Sequence, residues 1–267
     1  MADDAWGIHL PPARHTASHP PGTPCWVVLV TPDVSRTGPF YAGLFGWSAP
    51  DAAGGLGTVT SEGRDVAGVL PLPSEAAAAG AASRWLIFLA TDDISQTLAT
   101  VRPSGGEILA PAFDVGDLGR MAIVADSTGA QFGLWEAGTY PGATRLGEPG
   151  SMTWAELRTR SRASAAGFYP AVFGWDVQSV QAGAETFITC LLDSRPVAGM
   201  VELGAADGLS PSYWMPYFAV GDCEAAATLA DGLGGEICEA PHDTAGRRLA
   251  VLRDPLGALF YIVSSDG

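Results

Sequence analysis

Three side chains in this sequence are placed to move protons. Glu156 stands two residues after Trp154, so in an extended segment both face the same side, and the matching position 128 residues earlier is Val28. A carboxyl group facing an apolar surface resists ionisation, which tunes it as a general acid or base. Its alternative use is pairing with an arginine from an adjacent strand. His242 precedes Asp243 in an Ala-Pro-His-Asp stretch that reads as a loop, where the carboxylate would orient it as a base, unless both are simply solvated. Tyr217 alternates with Met215 and offers a phenol to a carbonyl oxygen.

Around these lie large aromatic side chains. Strand parity turns Trp26, Phe88 and Trp135 to one face in the first half of the chain, and Trp154, Met215, Tyr217 and Tyr261 in the second half. Such a lining suits a flat apolar ligand, since aromatic faces stack with offset geometry. The same residues would equally fill a core.

Other chemistries are excluded. All 14 basic residues are arginine, so no lysine is available for a Schiff base, and the net charge of −15 provides no basic stripe for nucleic acid. No Gly-x-Ser-x-Gly elbow, phosphate-binding Gly-x-x-x-x-Gly-Lys or dinucleotide fingerprint occurs. Cys25, Cys190, Cys223 and Cys238 have no ligand spacing and are expected to be free thiols in a reducing, cytoplasmic setting. No apolar run reaches membrane-spanning length.

The elements that must position these residues come twice. Phe40-Tyr41-Ala-Gly-Leu-Phe-Gly46-Trp47 returns as Phe168-Tyr169-Pro-Ala-Val-Phe-Gly174-Trp175. Trp85, Gly105-Gly106, Gly119-Arg120 and Asp126-x-x-Gly129 return as Trp214, Gly234-Gly235, Gly246-Arg247 and Asp254-x-x-Gly257. This is a tandem duplication. In the first copy strands are expected at 26–30, 58–60, 64–70, 85–90, 107–109, 121–125 and 131–136, with helices at 35–44 and 94–101. The expected fold is α+β: two tandem domains, each a pair of βαβββ modules forming a cup-shaped mixed sheet with helices outside. The expected divisions are a disordered tail at 1–23, a first domain at 24–137, a linker at 138–150 and a second domain at 151–265. Arg120 and Arg247, repeated within Gly-Arg, read as turn-pairing residues, with anion binding as the alternative. Glu136 reads as a solvent-facing strand end.

Strand, helix ending in Phe-Tyr-x-x-x-Phe-Gly-Trp, then Gly-Gly, Gly-Arg and Asp-x-x-Gly before a final strand resembles the vicinal oxygen chelate superfamily of glyoxalase I, bleomycin-resistance proteins and extradiol dioxygenases. The tandem form is similar to two-domain proteins found near antibiotic clusters. The resemblance implies one divalent metal held by three strands. Counting from the landmarks puts its ligand positions on Trp26, Leu86 and Gly133 in one copy and on Trp154, Met215 and Tyr261 in the other, none a suitable donor. No metal or other cofactor is therefore expected. Two functions stand: metal-independent binding of a planar aromatic or polyketide-type small molecule, as in sequestration or self-resistance, or a metal-independent cyclase, isomerase or lyase using Glu156, His242 or Tyr217. The expected partner is the small molecule alone, with neither nucleic acid nor membrane, in a monomer or homodimer.

Overall fold

The structure, a computed structural model, describes residues 19–48, 57–182, 185–204, 208, 210–244 and 246–264. The expected tail thus lies outside the described residues as far as residue 18. Residues 19–23 are tied into the fold: the Gly22 amide donates to Ala90 O at 2.8 Å, and His19 Nε2 lies 3.0 Å from Ala143 O.

The first copy runs β1 (Pro24–Thr31), α1 (Val34–Phe45), β2 (Gly57–Ser61), β3 (Arg64–Pro71), α2 (Ser74–Ala78), β4 (Arg84–Ala90), α3 (Ile94–Val101), β5 (Glu107–Asp114), β6 (Gly119–Ala125) and β7 (Gln131–Ala137). The second runs β8 (Met152–Thr159), α4 (Arg162–Phe173), β9 (Asp176–Ala182), β10 (Glu185–Leu192), β11 (Arg195–Glu202), β12 (Tyr213–Ala219), α5 (Cys223–Gly232), β13 (Glu236–Thr244), β14 (Arg247–Arg253) and β15 (Leu259–Ser264). Each copy forms its own mixed sheet, ordered β2-β3-β1-β4-β7-β6-β5 in one and β13-β14-β15-β12-β8-β11-β10-β9 in the other. This is the α+β architecture expected of two tandem repeats. Two extensions differ from expectation. β5 continues past Leu109 to Asp114, and His242 lies inside β13, not in a loop.

The helices begin and end where their sequences dictate. Asp33, Asp93, Ser161 and Asp222 accept from the amides of Ser35, Gln96, Ser164 and Ala225 at the starts of α1, α3, α4 and α5. Gly46 and Gly174 close α1 and α4 at φ +70°, a left-handed conformation that favours glycine.

Period-two alternation divides each central strand between two environments. Val27 and Leu29 join a large core with Phe40, Tyr41, Phe168, Tyr169, Ala155 and Leu157, in which both copies take part. Trp26, Val28 and Val30 face the other way.

The repeated motif builds the joint between copies. Tyr41 OH donates to Asp254 Oδ2 at 3.1 Å, and Tyr169 OH to Asp126 Oδ2 at 2.9 Å, so each tyrosine reaches the Asp-x-x-Gly turn of the other copy. Trp47 Nε1 donates to Gly150 O at 2.7 Å and Trp175 Nε1 to Gly22 O at 2.8 Å. A Cβ on Gly106 would come within 2.6 Å of the Phe168 ring, and one on Gly235 within 2.8 Å of the Phe40 ring, so the glycine pairs repeat because a helix of the other copy rests on them.

Candidate functional site in the cup of the second copy

In the second copy β8 is flanked by β12 and β11, and β12 by β15. Their register sets Trp154, Tyr217 and Tyr261 side by side on three strands. Met215 pairs with Glu156 one step along. The residue level with Trp154 and Tyr261 is thus Tyr217, two residues beyond the position obtained by counting. The opposite faces, Ala155, Leu157, Trp214, Phe218, Phe260 and Ile262, go to the shared core.

A cavity of about 240 Å³ opens on this face. Trp154, Tyr217, Tyr261 and Phe187 give it aromatic walls, Glu156 and Arg158 lie on β8, and Glu239, His242, Thr244 and Arg247 come from the β13–β14 hairpin. Glu156, only 4% exposed, is held at both oxygens: Oε1 accepts from Arg158 Nε at 3.0 Å, and Oε2 from Tyr217 OH at 3.0 Å. Gly199 on β11 makes room for this arrangement, since a Cβ there would sit 2.9 Å from the Trp154 indole nitrogen and 3.4 Å from Glu156 Cγ. The Tyr217 ring stacks on Tyr261 with centroids 4.0 Å apart and planes 17° apart.

Burial pushes the Glu156 carboxyl above its ordinary range, against the opposing pull of the Arg158 charge and the Tyr217 hydrogen bond. Tyr217 is raised well above the usual phenol value, by burial first and then by the neighbouring Glu156 charge. Burial works against the Arg158 charge too, but Glu156, Tyr217, Tyr213 and Glu239 outweigh it and hold the guanidinium above its ordinary value. Arg158 is therefore the fixed charge of the pair, and Glu156 is the member able to take a proton.

The sequence candidates fall into three groups. Glu156, Tyr217, His242, Trp154 and Tyr261 all line the cavity. Met215 packs in the apolar cluster of the same face with Leu249, Val251, Tyr261 and Val263, but does not line the cavity. Trp26, Phe88 and Trp135 belong to the first cup, where Val28, Val30, Leu86 and Met121 fill the face, with Leu72, Ala76 and Ala77 of the α2 region and Tyr140 of the expected linker packed on them. Tyr140 meets Trp26 edge-on at 5.6 Å and its carbonyl accepts from Trp135 Nε1 at 3.0 Å, so the segment joining the copies covers the cup and is no free spacer.

Several local expectations need correction. Asp243 does not orient His242; consecutive strand residues point to opposite faces, and Asp243 pairs with Arg248 at 3.2 Å. His242 Nδ1 instead lies 3.0 Å from Ala240 O, which favours the tautomer with the proton on Nδ1 and leaves Nε2 as acceptor. The arginine paired with Glu156 comes from the same strand, two residues on. Glu136 is not merely solvent-facing: it accepts from the Ile94 amide at 2.7 Å, at the start of α3, and pairs with Arg120 at 3.6 Å. Arg120 also pairs with Asp114 at 3.3 Å; the register places Arg248, not Arg247, at the equivalent position, where it pairs with Asp243 at 3.2 Å, and Arg247 lines the cavity instead. The sequence singled out Arg247 only as a turn-pairing or anion-binding residue, and missed Arg158, Phe187, Glu239 and Thr244. Of these four only Arg158 carried a signal, the parity that places it on one face with Trp154 and Glu156.

Residues 24–134 match the model of the glyoxalase/bleomycin resistance protein/dioxygenase superfamily. CFP32 of Mycobacterium tuberculosis (strain CDC 1551 / Oshkosh), a glyoxylase candidate, is 38% identical over 91% of this chain and 94% of its own. The chain belongs to this superfamily. The anthracycline biosynthesis protein DnrV of Streptomyces peucetius, also 38% identical, is matched over 91% of this chain and 93% of its own length. Among solved structures, the Mn(II)-bound glyoxalase of Novosphingobium aromaticivorans shares the superfamily fold at a TM-score of 0.64 and 16% identity, covering 92% of this chain and 82% of that one.

The donor set in this member does not fit a divalent metal. The aligned strand positions carry Trp26, Phe88 and Gly133 in one cup and Trp154, Tyr217 and Tyr261 in the other. Among the described residues no group of three His, Cys, Asp or Glu side chains is placed to hold a metal ion. The carboxylate nearest those positions, Glu156, already bonds a guanidinium. No described helix is long and apolar enough to cross a membrane.

Proposed function

We propose that this chain binds a planar, oxygen-bearing aromatic or polyketide-type small molecule of secondary metabolism in the cup of its second copy, without a metal, and retains it, as in sequestration or self-resistance. The observation that carries this reading is the asymmetry of the cups: one face is packed shut, while the other keeps a cavity of about 240 Å³ between Trp154, Tyr217 and Tyr261. Rigid rings of this kind supply stacking area at low conformational cost. The likeness to a protein named for anthracycline biosynthesis supports a polycyclic aromatic as the ligand class.

A second reading, a metal-independent cyclase, isomerase or lyase, is favoured by one feature, the buried Glu156. A carboxyl group that burial raises above its ordinary range can give a proton to a carbonyl oxygen and recover one from carbon, with Tyr217 hydrogen-bonded to it. His242 Nε2 would be the alternative base at the rim.

Tryptophan quenching by a panel of planar aromatic metabolites, followed by mass and retention analysis of each bound compound, separates the readings. Compounds returned unchanged support retention; an altered mass or an isomeric product supports catalysis. Absence of quenching or calorimetric binding across the panel would overturn both. Under the catalytic reading Glu156→Gln keeps affinity within a few fold and abolishes turnover. Unchanged turnover in that variant would remove Glu156 as the acid.

A further inference from the structure

The chemistry of the ligand can be narrowed by Arg158. Its side chain is 17% exposed and lines the cavity, and its Cζ lies 5.3 Å from the centroid of the Tyr261 ring. Of the five N–H donors of the guanidinium, Nε is spent on Glu156 Oε1. The four on the terminal nitrogens have no hydrogen-bond partner among the described residues. A largely buried guanidinium with one edge satisfied and its fork unfilled, beside an open cavity, is half of a bidentate site. What fits such a fork is a pair of acceptor oxygens in one plane, most strongly when they share a negative charge.

Glu156 meets the positive charge along one edge only, and the β13–β14 hairpin adds Arg247 and Glu239, one charge of each sign, to the cavity wall. The Glu156–Arg158 pair has no counterpart in the first cup, where the matching residues are Val28 and Val30, both buried in the filled cluster.

Resting on the reading of this cavity as a ligand site, we infer that the ligand is a planar aromatic anion that presents two adjacent coplanar oxygens to the terminal nitrogens of Arg158. An aryl carboxylate and an ionised hydroxyquinone share this chemistry. Arg158 then determines specificity, and the stacked rings of Tyr217 and Tyr261 accept the flat body.

The test is calorimetric titration of the whole chain with three naphthalene probes: 2-naphthoate, 2-hydroxy-1,4-naphthoquinone in its ionised form, and 2-naphthalenemethanol. The wild type is expected to bind at least one anion at least about tenfold more tightly than the alcohol, as charge-assisted hydrogen bonds require. Whichever anion binds better identifies the source of the oxygen pair. Arg158→Lys keeps a charge but loses the fork, and should cost the anions about tenfold while leaving the alcohol within a few fold. Binding of all three probes alike by the wild type overturns the assignment but leaves the ligand site standing. An anion preference that survives Arg158→Lys overturns it as well. If no probe binds, the ligand-site reading falls with it. Should Arg158→Lys fail to fold, the wild-type comparison of anion with alcohol still decides.

Discussion

The first cup encloses Trp26, Phe88, Trp135 and Met121 beneath Tyr140, Leu72 and the α2 region, whereas the second leaves Trp154, Tyr217 and Tyr261 around open space with Glu156 and Arg158 among them. The two faces share strand order, register and the paired central strands. They differ in what covers them and in residues on the face, among them Val28 and Val30 against Glu156 and Arg158 and Gly133 against Tyr261. The residues the copies hold in common, Tyr41 and Tyr169, Trp47 and Trp175, Asp126 and Asp254, fasten one copy to the other. Recurrence within this chain therefore marks the joint. Under the proposed reading the first copy is support and the divergent second cup receives the ligand.

Equivalent truncations should break this symmetry most sharply. Trp135→Ala removes a packed ring from the filled cup and is expected to cost about 3–5 kcal/mol of stability while leaving ligand affinity unchanged. Trp154→Ala removes a wall of the open cavity and is expected to weaken binding by about 2–3 kcal/mol, roughly 30- to 150-fold, with a smaller loss of stability. Denaturation curves and calorimetric titrations of both variants check the pair. Comparable loss of binding in each would mean that the first cup also takes ligand.

The next test converts the second cup toward the first. Breaking a buried ion pair by removing one member is costly, but replacing both members with apolar residues is often neutral or stabilising by about 1–4 kcal/mol. Glu156→Val with Arg158→Val should therefore leave thermal stability level or higher while erasing the preference for anionic ligands. A double variant that is strongly destabilised would show that the pair is kept for folding, and the contrast between the cups would lose its functional meaning.

The sequence made the repeat legible and the site only in part. Repeated landmarks and period-two alternation sufficed to place β1, α1, β4, α3 and their repeats, because helix caps and strand parity are local properties. Helix α2 escaped notice because the five residues Ser74–Ala78 carry no helical period. β5 and β13 run longer than expected, β13 through the stretch read as a loop around His242. Pro111 and Pro241 within them lie in edge strands, beside register shifts, where a missing N–H removes no ladder bond. Whether a cup is filled could not be read locally, since the answer depends on Tyr140 and the α2 region folding back over one face. Glu239 and Arg247 enter the cavity through the pairing of β13 with β14, which no local pattern announces.

The smallest expected effect concerns a proton. Glu156 is faced by Arg158 on its own strand, Tyr213 and Tyr217 on β12, Glu239 and His242 on β13, Arg247 on β14 and Tyr261 on β15. Burial dominates this balance and raises the carboxyl above its ordinary value of 4.5. The folded chain therefore holds this proton at a pH where the unfolded chain has released it. The stability that Glu156 contributes is fully present below 4.5 and is lost as pH rises through the folded-state value. The slope for one proton cannot exceed about 1.4 kcal/mol per pH unit. Glu156→Gln cannot titrate, so thermal melts taken upward from pH 4.5 should show the wild type losing ground against this variant. The other buried carboxyls are present in both proteins and cancel in the difference. Val28→Ala, the matching change in the first cup, should give an offset that does not vary with pH. A difference sloping the opposite way would mean that the Arg158 charge outweighs burial and holds Glu156 fully ionised, a fixed ion pair with no proton to give.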